Sequence, residues 1–188
     1  MTISAIDART ALLVVDLHKG IVGLRTAHPV AGVLANAVTL TEAFRRRNLP
    51  VVLINVSGGA PGRTEQARPR GEMPSDWTDL VPELGRQSGD HLLTKRTWGA
   101  FTNTNLEHYL KQHSVTQVVI AGIATSIGVE STARHAYELG FNVALAVDAM
   151  TDPSAQTHDY SIKFIFPRLG ETGTSQEIVG LLQGSSAA

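Results

Sequence analysis

The stretch Ala11-Leu12-Leu13-Val14-Val15-Asp16 decides the reading of the fold. Five apolar residues in a row, closed by a carboxylate, offer water no polar face. A strand covered on both sides in a parallel sheet needs that pattern. The signature recurs in Val51-Val52-Leu53-Ile54-Asn55-Val56 after Pro50, in Gln117-Val118-Val119-Ile120-Ala121-Gly122, and in Asn142-Val143-Ala144-Leu145-Ala146-Val147-Asp148-Ala149. A shorter run, His91-Leu92-Leu93-Thr94-Lys95, reads the same way.

Amphipathic segments separate these runs. Between Pro29 and Asn48, Val33, Ala37, Leu40 and Phe44 recur at spacings of three and four and share one helical stripe. Asn105 to His113 carries Leu106, Tyr109 and Leu110, and Val129 to Leu139 carries Ala133, Ala136 and Tyr137 before the stop signal Gly140. Alternating strands and helices predict right-handed βαβ units: an α/β, three-layer, Rossmann-like, mostly parallel sheet with helices on both faces. Gly58 to Gly89, with Gly58-Gly59, Pro61, Pro69 and Pro74, is predicted to be loop with at most a helical turn. Such a loop serves as a lid, a binding loop or an oligomer contact.

The bulk composition fits one domain over residues 1–188, with 183–188 as a frayed tail. The 188 residues are 43% hydrophobic and 18% charged, with net charge −1, so no basic surface is available for nucleic acid or a membrane. The run Arg45-Arg46-Arg47 closes a predicted helix, where cations suit the dipole. No apolar run is long enough to span a bilayer, and MTISAIDART lacks the layout of a secretory signal, so the expectation is a cytoplasmic protein. The sequence contains no cysteine, which excludes disulfides, thiolate metal sites and a thiol nucleophile.

In an open parallel sheet the ligand crevice lies at the carboxyl ends of the strands. The residues predicted there are Asp16, His18, Asn55, Ser57, Lys95, the segment Gly122-Ile-Ala-Thr-Ser-Ile-Gly128, and Asp148. Position alone leaves open whether Asp16 does chemistry or caps the following turn, and whether Lys95 faces the crevice or snorkels to solvent. Main-chain amides of the turn before Val129 would favour an anion, although a plain strand-to-helix turn reads the same. His18 and Trp98 are candidate pocket walls; for Trp98 an oligomer contact or partial core burial fits equally well, and an exposed Trp77 or Trp98 suits a subunit contact. Ala124-Thr-Ser-Ile-Gly128 is one residue short of a G-x-S-x-G elbow, which keeps Ser126 as an alternative nucleophile.

A resemblance is carried by the strand into Asp16, then Val81-Pro82-Glu83-Leu84, Gly89-Asp90, Lys95, Ala100-Phe101 and Thr104. It continues through Gly122-Ile-Ala-Thr-Ser-Ile-Gly-Val-Glu-Ser-Thr-Ala133, Gly140 and Val147-Asp148-Ala149. Over residues 10 to 150 the chain resembles the isochorismatase-like hydrolases of the cysteine hydrolase superfamily, which include nicotinamidases, other carbon–nitrogen hydrolases and isochorismatases.

The resemblance implies a sheet of about six strands, Asp16 and Lys95 as catalytic residues, a cis peptide between Ile123 and Ala124, and an oxyanion hole from the amides of Ala124 and Gly128. It places Gly128 where the family's nucleophilic cysteine stands, contributing an amide and space in place of the thiol. Substrate contacts are expected from His18, Asn55, Trp98 and Thr125. The isochorismatases resembled at this glycine cleave a vinyl ether by acid catalysis; Lys95 beside Asp16 is expected to lower the pKa of that acid.

Neither a metal nor a cofactor is expected, since Asn55-Val-Ser-Gly-Gly-Ala-Pro61 replaces the acidic and histidine ligands of nicotinamidases, and His108 and His113 have poor ligand spacing. The expected partner is a small-molecule substrate, in a homo-oligomer. The competing readings are a non-catalytic metabolite-binding or oligomeric scaffold member of the fold, and a serine hydrolase using Ser126.

Overall fold

The computed structural model describes residues 3–66 and 74–184. Six strands form one parallel sheet: β1 (Thr10–Val15), β2 (Val51–Val56), β3 (His91–Lys95), β4 (Gln117–Ile123), β5 (Asn142–Thr151) and β6 (Glu171–Gly173), in the order β3-β2-β1-β4-β5-β6. The order reverses at β1, between β2 and β4. This switch point is where an open α/β sheet leaves a crevice.

The apolar runs explain the layers. Alternate residues of each strand point to opposite faces. Both faces of β1, β2, β4 and β5 are covered, whereas the edge strand β3, expected from its sequence to be covered likewise, leaves Leu92 and Thr94 exposed. Leu12, Val14, Leu53 and Ala121 pack beneath α2 (Val30–Arg46) and α6 (Ser175–Gly184). Leu13, Val15, Ile54, Val118 and Ile120 pack beneath α3 (Leu106–Gln112) and α4 (Glu130–Glu138). The other α-helices among the described residues are α1 (Lys19–Val22) and α5 (Ala155–Tyr160). The predicted α2 stripe of Val33, Ala37, Leu40 and Phe44 is buried in full. In α4 only Ala133 and Ala136 of the predicted stripe are buried, and Tyr137 is exposed.

No helix among the described residues is long and apolar enough to cross a membrane. The described part of the 58–89 loop contains one short helical turn, Pro82–Leu84; its residues 67–73 lie outside the described residues. The tail predicted to fray from 183 is helical at Gln183 and Gly184, which complete α6; residues 185–188 lie outside the described residues.

Two backbone features shape the switch point. Gly122 has φ of +127°, and a Cβ there would lie 1.9 Å from the carbonyl oxygen of Val15. Only glycine lets β4 approach β1 this closely. Asp16 has φ of +54°, in the left-handed region that an aspartate tolerates better than most residues. Its chain direction breaks there, so β1 stops at Val15 and the carboxylate leaves the sheet.

Candidate active site

Asp16 and Lys95 meet. Lys95 Nζ donates to Asp16 Oδ2 at 2.7 Å and to the carbonyl of Thr97 at 3.2 Å. The strands that carry them are not neighbours: β2 lies between β1 and β3, and the lysine stem reaches past its end. Both groups are buried, with residue exposures of 5% for Asp16 and 2% for Lys95. Asp16 Oδ1 is buried with no hydrogen-bond partner among the described residues.

Two effects compete on this carboxyl group. Removing it from water favours the neutral acid, and the ammonium of Lys95 favours the carboxylate. Burial is the larger, and the Asp16 pKa rises from 3.8 to about 6. The sequence-based expectation of a lowered value therefore has the wrong sign, because it counted the ion pair and not its desolvation.

Gly128 lies against this pair in a π-helical turn, Thr125–Val129, that joins β4 to α4. A Cβ on Gly128 would stand 3.1 Å from Val15 Cγ1 and 3.2 Å from Asp16 Oδ2. The glycine therefore does not open a space beside Asp16, as expected from the sequence; it lets the turn close on the carboxylate. The peptide bond between Ile123 and Ala124 is cis. The carbonyl of Ala124 accepts from the N–H groups of Ile127 and Val129, which shapes the turn.

The other predicted contacts are held by bonds of their own. His18 is fully buried; its Nδ1 donates to the Trp77 carbonyl at 2.6 Å, which leaves Nε2 to accept from the Val56 N–H at 3.4 Å. Burial lowers its pKa, and the ring is committed to tying residues 77–80 to the end of β2. Trp77 is itself half-buried, its ring over Gly20, so it is not the exposed contact expected.

Asn55 pairs in register with Thr94, whereas Val56 pairs with Lys95, so Asn55 projects from the opposite face of the sheet to Lys95. Its amide donates to the Thr78 carbonyl, and it lines a hollow of about 600 Å³ with Lys19, Asp79 and Arg86. Thr125 is buried and hydrogen-bonded to His158 Nδ1 at 2.8 Å. Trp98 brings its main chain near Gly128 and leaves its side chain in solvent, with the residue 64% exposed. Asp148 lies inside β5 rather than at its end, and accepts from the N–H and hydroxyl of Ser175 at the start of α6.

Ser126 has no histidine for a base. Its hydroxyl donates to Asp152 Oδ2 at 2.8 Å, and the imidazole of this cluster, His158, bonds Thr125 instead. A serine nucleophile needs a base that takes its proton. Asp152 escaped the sequence reading because β5 was ended at Ala149, two residues short of its observed end at Thr151. Thr97, whose carbonyl holds the ammonium, left no signal in the sequence. Among the described residues, no three histidine, aspartate or glutamate side chains converge to hold a metal ion.

A sequence model described as the isochorismatase domain matches residues 10–177. The chain is 42% identical over 178 residues to the uncharacterized isochorismatase family protein YwoC of Bacillus subtilis, covering 91% of this chain and 93% of that protein. It is 37% identical over 180 residues to the uncharacterized isochorismatase family protein YecD of Escherichia coli O157:H7, covering 92% and 96%. Among solved structures, an isochorismatase family protein from Burkholderia thailandensis superposes with a TM-score of 0.93 at 35% identity, covering 97% of this chain and 100% of that one.

Proposed function

The chain belongs to the isochorismatase family, and on that premise we propose that it is a small-molecule hydrolase working without a covalent cysteine intermediate, on a vinyl ether such as isochorismate. The observation that carries the reading is the buried Asp16–Lys95 pair, whose carboxyl is held near pKa 6 by its surroundings. An acid with that value keeps a usable protonated fraction near neutral pH.

In this reading Asp16 delivers its proton to the methylene carbon of the enol ether. The double-bond electrons form the new C–H bond, and the adjacent carbon becomes a cation stabilised by the ether oxygen. Water adds to that carbon and returns a proton to Asp16, and the hemiketal breaks into an alcohol and pyruvate. Lys95 orients the carboxyl and balances it when ionised. The role proposed for the amides of Ala124 and Gly128 is to donate to the oxygen that leaves the hemiketal, where negative charge builds. The absence of any cysteine from the sequence supports a route without a thioester. The reading requires neither cofactor nor metal, and it places the protein in the cytoplasm as a homo-oligomer. The exposed ring of Trp98 supports the oligomer.

The test follows pyruvate release from isochorismate by the parent and by Asp16→Asn. The parent is expected to turn over, and the variant to lose a factor of about 10² or more while folding normally. Undiminished activity in Asp16→Asn would reject the role of the acid.

The near-complete closure of Asp16 and Lys95 in the single chain favours a second reading, a non-catalytic metabolite-binding or scaffold member of the fold. Ligand-induced thermal stabilisation without any turnover would select it.

A further inference from the structure

The turn that carries Gly128 is held from one side by a buried carboxylate. Asp152 follows β5 directly and is 2% exposed. Its Oδ2 accepts from the Ser126 N–H and hydroxyl, both at 2.8 Å. Its Oδ1 accepts from the Ser154 N–H at 3.2 Å and the Thr157 hydroxyl at 2.6 Å. These four donors hold the Asp152 pKa below the ordinary value although burial opposes them. Two donors belong to the turn and two to the segment that enters α5. A buried anion shared in this way fixes the position of one segment relative to the other.

Ser126 is two residues from Gly128, and Gly128 touches Asp16 Oδ2 so closely that a Cβ would crowd it at 3.2 Å. We infer that Asp152 is a positioning residue that acts through Ser126, clamping the Thr125–Val129 turn so that Gly128 stays packed against the Asp16 carboxylate and keeps water from it. Thr125, bonded to His158, is the second tie of the same turn to the same segment. The inference builds on the reading of Asp16 as the acid, but the packing it describes is measurable without a substrate.

The test is a ¹³C NMR titration of the Asp16 carboxyl, read without substrate in the parent, Asp152→Asn and Ser126→Ala. The titratable groups near Asp16 are Lys95 from β3 and His18 from the segment after β1, and every protein compared retains both. Asp152→Asn also removes a negative charge, which by itself would lower the midpoint; Ser126→Ala, which keeps that charge, separates the two effects.

The midpoint is expected to fall in Asp152→Asn from about 6 toward 3.8 as water reaches the carboxyl. It is expected to fall less in Ser126→Ala, which keeps the N–H bond and the charge. A purely structural role would lower the melting temperature and leave the midpoint in place. An unchanged midpoint in folded Asp152→Asn overturns the inference. Should that variant fail to fold, an unchanged midpoint in Ser126→Ala does the same. A shifted midpoint in a protein that releases no pyruvate would uphold the clamp and count against the proposed reaction.

Discussion

Lys95 reaches past the end of β2 to place its ammonium 2.7 Å from Asp16 Oδ2, joining two strands that do not touch. The contact bridges the carboxyl end of β2, beside the switch point of the sheet. It costs desolvation of both charges, and burial raises the Asp16 pKa more than the ammonium lowers it.

Lys95→Met leaves that carboxyl buried without its counter-charge. Its pKa is expected to rise above about 6, and the protein is expected to lose about 3 kcal/mol of stability at mildly alkaline pH. In mild acid the carboxyl is neutral and the loss shrinks. Urea denaturation at both pH values checks this, and an equal loss at each would show that the stem, not the charge, matters.

Asp16 gives a stability slope of unusual sign for an aspartate. Its folded pKa, about 6, exceeds the ordinary 3.8, so the folded state binds this proton more tightly. The contribution is full below pH 3.8 and is lost as pH rises through about 6, amounting to about 3 kcal/mol. Asp16→Asn has no such proton. The stability of the parent relative to Asp16→Asn is therefore expected to fall across that window. Groups with depressed values, such as Asp152, slope the other way and cancel in the difference.

Gly128→Ala places a methyl group 3.1 Å from Val15 Cγ1 and 3.2 Å from Asp16 Oδ2. Val15 is locked in β1 and Asp16 by Lys95, so neither yields easily. A loss of about 1–3 kcal/mol is expected. Gly180, in α6 with open space around it, is the control; Gly180→Ala is expected to stabilise by about 0.5–1 kcal/mol. Denaturation midpoints of the two variants should move in opposite directions.

The strands that position the site were legible because β1, β2, β4 and β5 are apolar on both faces. β6 was not, since Glu171-Thr172-Gly173 has no apolar run and is defined by its partner β5. Asp16 and Lys95 were legible as charges ending apolar runs. Their meeting across β2 was expected only through the resemblance, because strand order is not written in local sequence. The directions of three predicted contacts were not legible either. His18, Asn55 and Thr125 are bonded to Trp77, Thr78 and His158, far along the chain, and those bonds decide where each side chain goes.

The pH dependence of isochorismate turnover tests the role of Asp16 most directly. An acid that must be protonated gives a rate that falls as pH rises through about 6, and Asp16→Asn should lack that limb along with most of the activity. A rate that climbs through the same pH range, or a falling limb that persists in Asp16→Asn, would contradict it.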